Sequence, residues 1–244
     1  MPSLIAGYDY EYDIFISYRH KDNKYDGWVS DFVSNLRKEI EATFKDDISI
    51  YFDENPHDGL LETHNVDKSI EKKLKCLILI PILSQTYCDP KSFAWKDEFV
   101  AFVKMAKEDQ LGLAVNLLNG NVCSRILPVQ IHELDPEDKE LIQSQTGSVL
   151  RAIEFIYRAP GVKRPLLPKE NNHSGNLNKT SYRDQINKVA NAISEIIGTM
   201  KRERTEVPKP LKVPVDRKVE VESGSSLRNF INELSRRNIF RAAL

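Results

Sequence analysis

Glycine is scarce, with ten residues in 244, and nowhere do these gather into a loop that could cradle a phosphate. Neither G-x-G-x-x-G nor G-x-x-x-x-G-K-[ST] occurs, which removes the dinucleotide-binding fingerprint and the P-loop. No serine sits in a G-x-S-x-G elbow, so a nucleophile of the α/β-hydrolase kind is absent. The three cysteines, Cys76, Cys88 and Cys123, form neither a C-x-x-C pair nor a Cys/His metal pattern. Their odd number and spacing point to a reducing compartment, and a cytoplasmic location is expected. The five histidines, His20, His57, His64, His132 and His173, lack metal-ligand spacing, so no metal is expected.

Long apolar runs are also missing. The most apolar stretch, residues 76–83, is eight residues with Pro81 inside it, against about 20 for a membrane-spanning helix. The start, MPSLIAGYDYEYD, has no basic segment followed by an apolar one, so a secretory signal is not expected. The sequons at Asn172 and Asn178 then read as accidents of a polar loop. No charge of one sign dominates: 35 Lys and Arg face 36 Asp and Glu, a net of −1, which gives no field to attract nucleic acid. Residues 201–244 nevertheless carry eleven basic against six acidic side chains, a basic appendage on a mildly acidic body.

What is present is a soluble globular composition, 41% apolar and 29% charged. The length suits one domain plus an extension. Short β-type runs alternate with helical-period stretches, the order that builds a parallel sheet covered on both faces. Strands are expected at residues 12–18, 48–52, 74–83, 125–131 and 152–157. Helices are expected where Trp28, Val29, Phe32, Val33, Leu36, Ile40 and Phe44 recur, at Val66 to Leu74, from Trp95 to Ala106 with Ser92 as cap, and at residues 182–197. Residues 132–149 are polar and weakly patterned, and residues 161–180 read as a long polar loop. Residues 201–224, with three prolines and no apolar period, read as an extended linker. Residues 225–244 place Leu227, Phe230, Ile231 and Leu234 at helical spacing, a short basic amphipathic helix.

In an open parallel sheet, ligands gather beyond the carboxyl ends of the strands. Those loops begin with Ser17, Tyr18 and Arg19 after the first strand, and with Tyr51, Phe52 and Asp53 after the second. Beyond the third, Trp95 to Glu98 opens a helix. The motifs YDIFISYRHKD, IYFDEN with its long following loop, ILIPILSQTY and WKDE stand in this order. Through them the chain resembles a Toll/interleukin-1 receptor (TIR) domain over residues 8–200, and the glutamate on the helix aligns it with the prokaryotic NAD-cleaving branch.

The resemblance implies a flavodoxin-like three-layer α/β sandwich around a five-stranded parallel sheet. It implies an NAD nucleosidase, giving ADP-ribose or cyclised products in bacterial signalling or antiphage defence, with NAD as substrate and no cofactor. Glu98 would then be catalytic, while spacing alone makes it an acid in a first helical turn, where the dipole favours it. Trp95 would stack on substrate or serve as a core aromatic, and WKDE sets it one residue nearer the glutamate than in some catalytic members. Arg19 would meet the pyrophosphate or lie solvated. Tyr51 would flank a substrate ring or pack in the core, and Asp53 would cap amides of the loop that follows. Ser17 would fix the first loop, since no His or Lys base accompanies it, and Tyr18 would complete the substrate-binding set.

The loop 53–65 matches the BB loop, implying a homo-oligomer and contacts with other TIR domains. NELSRRNIFRAAL resembles a segment that precedes a membrane helix in some bacterial signalling proteins, so membrane proximity is one expectation for the basic end, beside a basic amphipathic end that lies on a partner or is disordered. Two rivals stand beside the enzyme: a non-enzymatic TIR–TIR interaction module, and a response-regulator or nucleoside-transferase-like domain. A response regulator would require paired acids beside Asp53.

Overall fold

The computed structural model describes residues 10–53, 66–117, 120–169 and 181–205. Strand β1 (Tyr12–Ser17) leads through a five-residue helix α1 (His20–Lys24) into α2 (Trp28–Thr43), β2 (Ile50–Tyr51), α3 (Val66–Lys73) and β3 (Cys76–Leu83). A π-helical segment (Ala94–Val100) runs on into α4 (Ala101–Glu108). Then follow β4 (Ala114–Asn116), β5 (Val122–Ser124), β6 (Val129–Gln130), α5 (Pro136–Thr146), β7 (Ile153–Glu154), β8 (Ile156–Ala159), β9 (Val162–Pro165) and α6 (Tyr182–Thr205).

The main sheet has the order β2-β1-β3-β6-β7, and every pairing in it is parallel. Counted along the chain this is 2-1-3-4-5, the flavodoxin-like doubly wound order. The five strands expected from the sequence are the five of this sheet. β3 is buried along its whole length, as a central parallel strand between two helical layers must be.

Side chains of β1 alternate between the two layers, because successive residues of a strand point to opposite faces. Ile14, Ile16 and Tyr18 join one core with α2 and α6, through Trp28, Phe32, Leu36, Val189 and Ile193. Phe15 enters the other with α4 and the π-helical segment, through Trp95, Phe99, Phe102 and Val103. Ser17 has the parity of Phe15 and therefore faces the π-helical layer. Register fixes this, with Tyr12 opposite Cys76 and Ser17 opposite Pro81.

Some elements depart from expectation. The run 125–131 contributes only Val129–Gln130 as regular strand, because Ile126 meets Leu79 in a single bridge and Arg125 turns its side chain into the interior. The fully buried Arg125 pairs with Asp109 at 2.6 Å and donates to the carbonyls of Leu77, Cys76 and Gly112. Residues 136–146 form α5, which places Ile142 in the core. Residues 156–165 form the antiparallel hairpin β8–β9, turning at Pro160 and Gly161, whose φ of 72° suits glycine. The second strand of this hairpin lies where a polar loop was expected.

Among the described residues no helix is long and apolar enough to cross a membrane. The chain divides into two units, Met1–Val207 and Pro208–Leu244. The second unit lies outside the described residues, as do most of the expected linker and the whole of the expected C-terminal helix.

Candidate functional site

Three segments converge beyond the carboxyl ends of β1 and β3. β1 ends on Ser17, which is fully buried. After β3 the chain turns through Ser84, whose hydroxyl accepts from the Tyr87 amide at 3.1 Å, and this turn sends the Tyr87 ring inward until it too is fully buried. Ser92 begins the next segment: its hydroxyl accepts from the Trp95 amide at 3.1 Å and donates to the Tyr87 carbonyl at 3.3 Å. This is the capping role its position in the sequence suggests. Glu98 then falls on the side of the π-helical segment that looks toward Ser17.

The contacts are short. Ser17 Oγ donates to Glu98 Oε2 at 2.6 Å and lies 2.8 Å from the Tyr87 hydroxyl. Glu98 keeps partial solvent access, while Trp95 and Phe99 on either side of it are buried. Its carboxyl is pushed up to about 8. Burial is the largest cause, the Ser17 hydrogen bond opposes it, and the nearby carboxylates of Asp53 and Asp97 add to the rise. A carboxyl raised by burial at the carboxyl edge of a parallel sheet marks a candidate site.

The structure brings Ser17, Glu98 and Asp53 together and disposes of the other expected residues differently. Tyr18 points into the opposite core and donates its hydroxyl to the Asp53 carbonyl at 2.5 Å, tying the end of β2 to the end of β1. Arg19 lies 3.8 Å from Asp89 in a partly exposed ion pair and near Asp22. Tyr51 stacks on Phe15 at 5.0 Å and receives a hydrogen bond from Lys73 at 2.7 Å, with the same ammonium 4.7 Å from the ring centre. Trp95 is buried, stacked on Phe99 at 4.7 Å, and this takes the core alternative of the two raised for it. A ring packed this way has no free face for a ligand. The loop expectation for 53–65 lies outside the described residues, apart from Asp53.

Four residues of the site carry no signal strong enough to single them out beforehand. Tyr87 sits in the SQTY of a recognised motif but is there one aromatic among many. Asp22, in the polar run between β1 and α2, accepts from Ser84 at 2.5 Å and from Thr86 at 2.9 Å. Burial raises its carboxyl above the usual range. Through these bonds α1 is fastened to the β3 loop, beside Tyr87. Their only advance sign is position, since all four lie beyond strand carboxyl ends.

A cleft of about 570 Å³ runs along the other side of the π-helical segment, lined by Ile70, Leu74, Phe93, Asp97, Lys104 and Met105 among others, and Glu98 does not line it. Among the described residues no group of three or more His, Cys, Asp or Glu is arranged to hold a metal ion.

The fold and site together define a doubly wound α/β domain with the raised carboxyl of Glu98 at the carboxyl edge of its sheet. Among solved structures, the chain is similar to the TIR domains of the activated Roq1 resistosome directly recognising the pathogen effector XopQ. The identity is 13%, the match covers 79% of this chain and 99% of that one, and the TM-score is 0.34. A likeness this loose carries no functional argument. No family model matches the chain, and no curated protein matches it.

Proposed function

We propose that the chain is a TIR-type NAD glycohydrolase in which Glu98 is the catalytic carboxylate. The observation that supports this most is the geometry of Glu98, a single carboxyl anchored at 2.6 Å by a buried serine at the ligand-binding edge of the sheet. The reaction needs little more from the protein. The bond between the ribose anomeric carbon and the nicotinamide nitrogen breaks, its electron pair goes to the nitrogen, and nicotinamide leaves neutral without a general acid. Positive charge moves to the ribose in an oxocarbenium-like state, as in glycoside hydrolysis. Ionised Glu98 faces that charge in poorly solvated surroundings, where a fixed anion acts more strongly than in water. Water then adds at the anomeric carbon and releases a proton, or a nucleophilic atom of the same substrate adds and gives a cyclised product.

Arg19 supplies a cation for the pyrophosphate once Asp89 yields it. Ser17 and Asp53 position rather than react, and Trp95 supports the segment from below. Self-association through the loop 53–65 completes the proposal, as the resemblance of that loop to the BB loop implies. Homo-oligomers or other TIR domains are then the partners. No metal or further cofactor enters the scheme, and nucleic acid has no part in it. The setting is cytoplasmic, in bacterial signalling or antiphage defence.

The test is nicotinamide release from NAD by the purified full chain over a wide range of protein concentration, with Glu98→Gln alongside. Wild type should release nicotinamide at a rate that grows faster than linearly with concentration, and the variant should lose at least about 100-fold, the scale of a removed electrostatic stabiliser. Absence of release at every concentration would replace this reading with that of a non-enzymatic interaction module.

A further inference from the structure

The Ser17 hydroxyl has one proton and two neighbours. When Glu98 is ionised, its Oε2 accepts that proton at 2.6 Å, and only lone pairs of Ser17 Oγ remain for the Tyr87 hydroxyl 2.8 Å away. Tyr87 must therefore be the donor. The hydrogen bonds run in one direction, from Tyr87 to Ser17 to Glu98. Tyr87 is held for this task from several sides. Its ring meets Trp95 and Phe99 edge-on, each at 6.3 Å, and its backbone is fixed by Ser84, itself bonded to Asp22. A fully buried tyrosine hydroxyl needs a partner, and Ser17 Oγ is the acceptor this one has. Among the described residues Oε1 of Glu98 takes no hydrogen bond, so the chain of bonds immobilises one carboxylate oxygen and leaves the other for a ligand.

Resting on the reading of Glu98 as the reacting carboxylate, we propose that Tyr87 is a positioning residue for it. Tyr87 acts through Ser17 to hold Oε2 and to favour the ionised carboxylate. A hydroxyl that accepts a hydrogen bond becomes a better donor, so the pair acts more strongly on Glu98 than Ser17 alone would. Among the described residues it works against burial, Asp53 from the end of β2, and Asp97 from the same helical segment, all of which favour the neutral form. The ring of Tyr87 is core packing, and its oxygen is the functional atom.

The experiment is a carbon-13 NMR titration of the Glu98 side-chain carboxyl in the full chain, assigned by loss of the signal in Glu98→Gln. It is repeated in Tyr87→Phe, Ser17→Ala and the double variant. Tyr87→Phe keeps the ring and removes the one oxygen. Its Glu98 midpoint should rise by about half a pH unit and that of Ser17→Ala by roughly one, the scale of hydrogen bonds to a charged group. The double variant should match Ser17→Ala, because Tyr87 has no route to Glu98 once Ser17 Oγ is gone. Where NAD is cleaved, Tyr87→Phe should lower kcat about tenfold with KM within roughly twofold, and raising the pH should restore part of the loss. A folded Tyr87→Phe with an unmoved midpoint overturns the proposal, as does a double variant that shifts by the sum of the singles. The titration does not depend on turnover, so a chain that fails to cleave NAD but shows these shifts removes the enzymatic reading and leaves the Tyr87–Ser17–Glu98 coupling standing.

Discussion

At the scale of single residues, the raised titration of Glu98 ties activity and stability to pH in opposite senses. The proposed chemistry uses the ionised carboxylate, and the free protein holds the proton until about pH 8. kcat/KM for nicotinamide release should therefore climb about tenfold per pH unit below that value and level off above it. A profile already flat from pH 6 upward would mean that Glu98 is ionised in the free protein. For stability, the folded carboxyl titrates above its unfolded value, so the folded state binds the proton more tightly. The stabilising contribution is complete below the unfolded value and is lost as pH rises through about 8. Glu98→Gln should melt close to wild type at pH 4 and above it at pH 9, by ~1–3 kcal/mol. Trp95 belongs to a different class: Trp95→Ala should cost ~3–5 kcal/mol in urea unfolding as a cavity in the core, so any loss of activity in it reports unfolding.

At the scale of elements, the site depends on short pieces that could not stand alone. α1 is five residues long, well below the length at which a helix holds itself. Asp22 supplies what it lacks by accepting from Ser84 and Thr86. In Asp22→Ala, amide exchange across residues 20–24 should approach the unprotected rate while β1 keeps its protection; equal protection in both proteins would assign that task elsewhere. These dependences also explain what could be read in advance. β1, β3, α2 and α6 announce themselves through apolar period, and Glu98 through its place in an ordered set of motifs. α5 has Pro136 at its start and Gly147 at its end, but only Ile142 and Thr146 are buried, so no apolar stripe marks it. The hairpin β8–β9 is largely exposed or half-buried, and strands without a core face leave little pattern. Position marks Tyr87 and Asp22 only weakly, and their roles become legible through contacts that join residues 62 to 70 apart in the chain.

At the scale of the whole molecule, Arg125 joins parts of the chain that lie far apart in sequence. It connects the start of β3 to the end of α4 from a position with no solvent contact, where Asp109 pairs with its charge and the rings of Tyr10 and Phe102 lie beside it. Arg125→Met should cost ~3–5 kcal/mol because Asp109 loses its cation and three carbonyls lose a donor. A lower urea midpoint with an unchanged slope would show it, and a variant as stable as wild type would mean the packed methionine compensates in full. The alternation of β1 bears on how the protein can vary. From Ile14 onward the alternation is strict, with Ile14 and Ile16 in one core and Phe15 and Ser17 facing the other layer, so a single residue inserted between Ile14 and Ile16 would exchange the two sides beyond it. Ser17 would leave Glu98, and an apolar side chain would take its place. Length variation in this strand is therefore closed to any lineage that keeps the site, whereas the turn at Pro160 and Gly161 can lengthen without touching it.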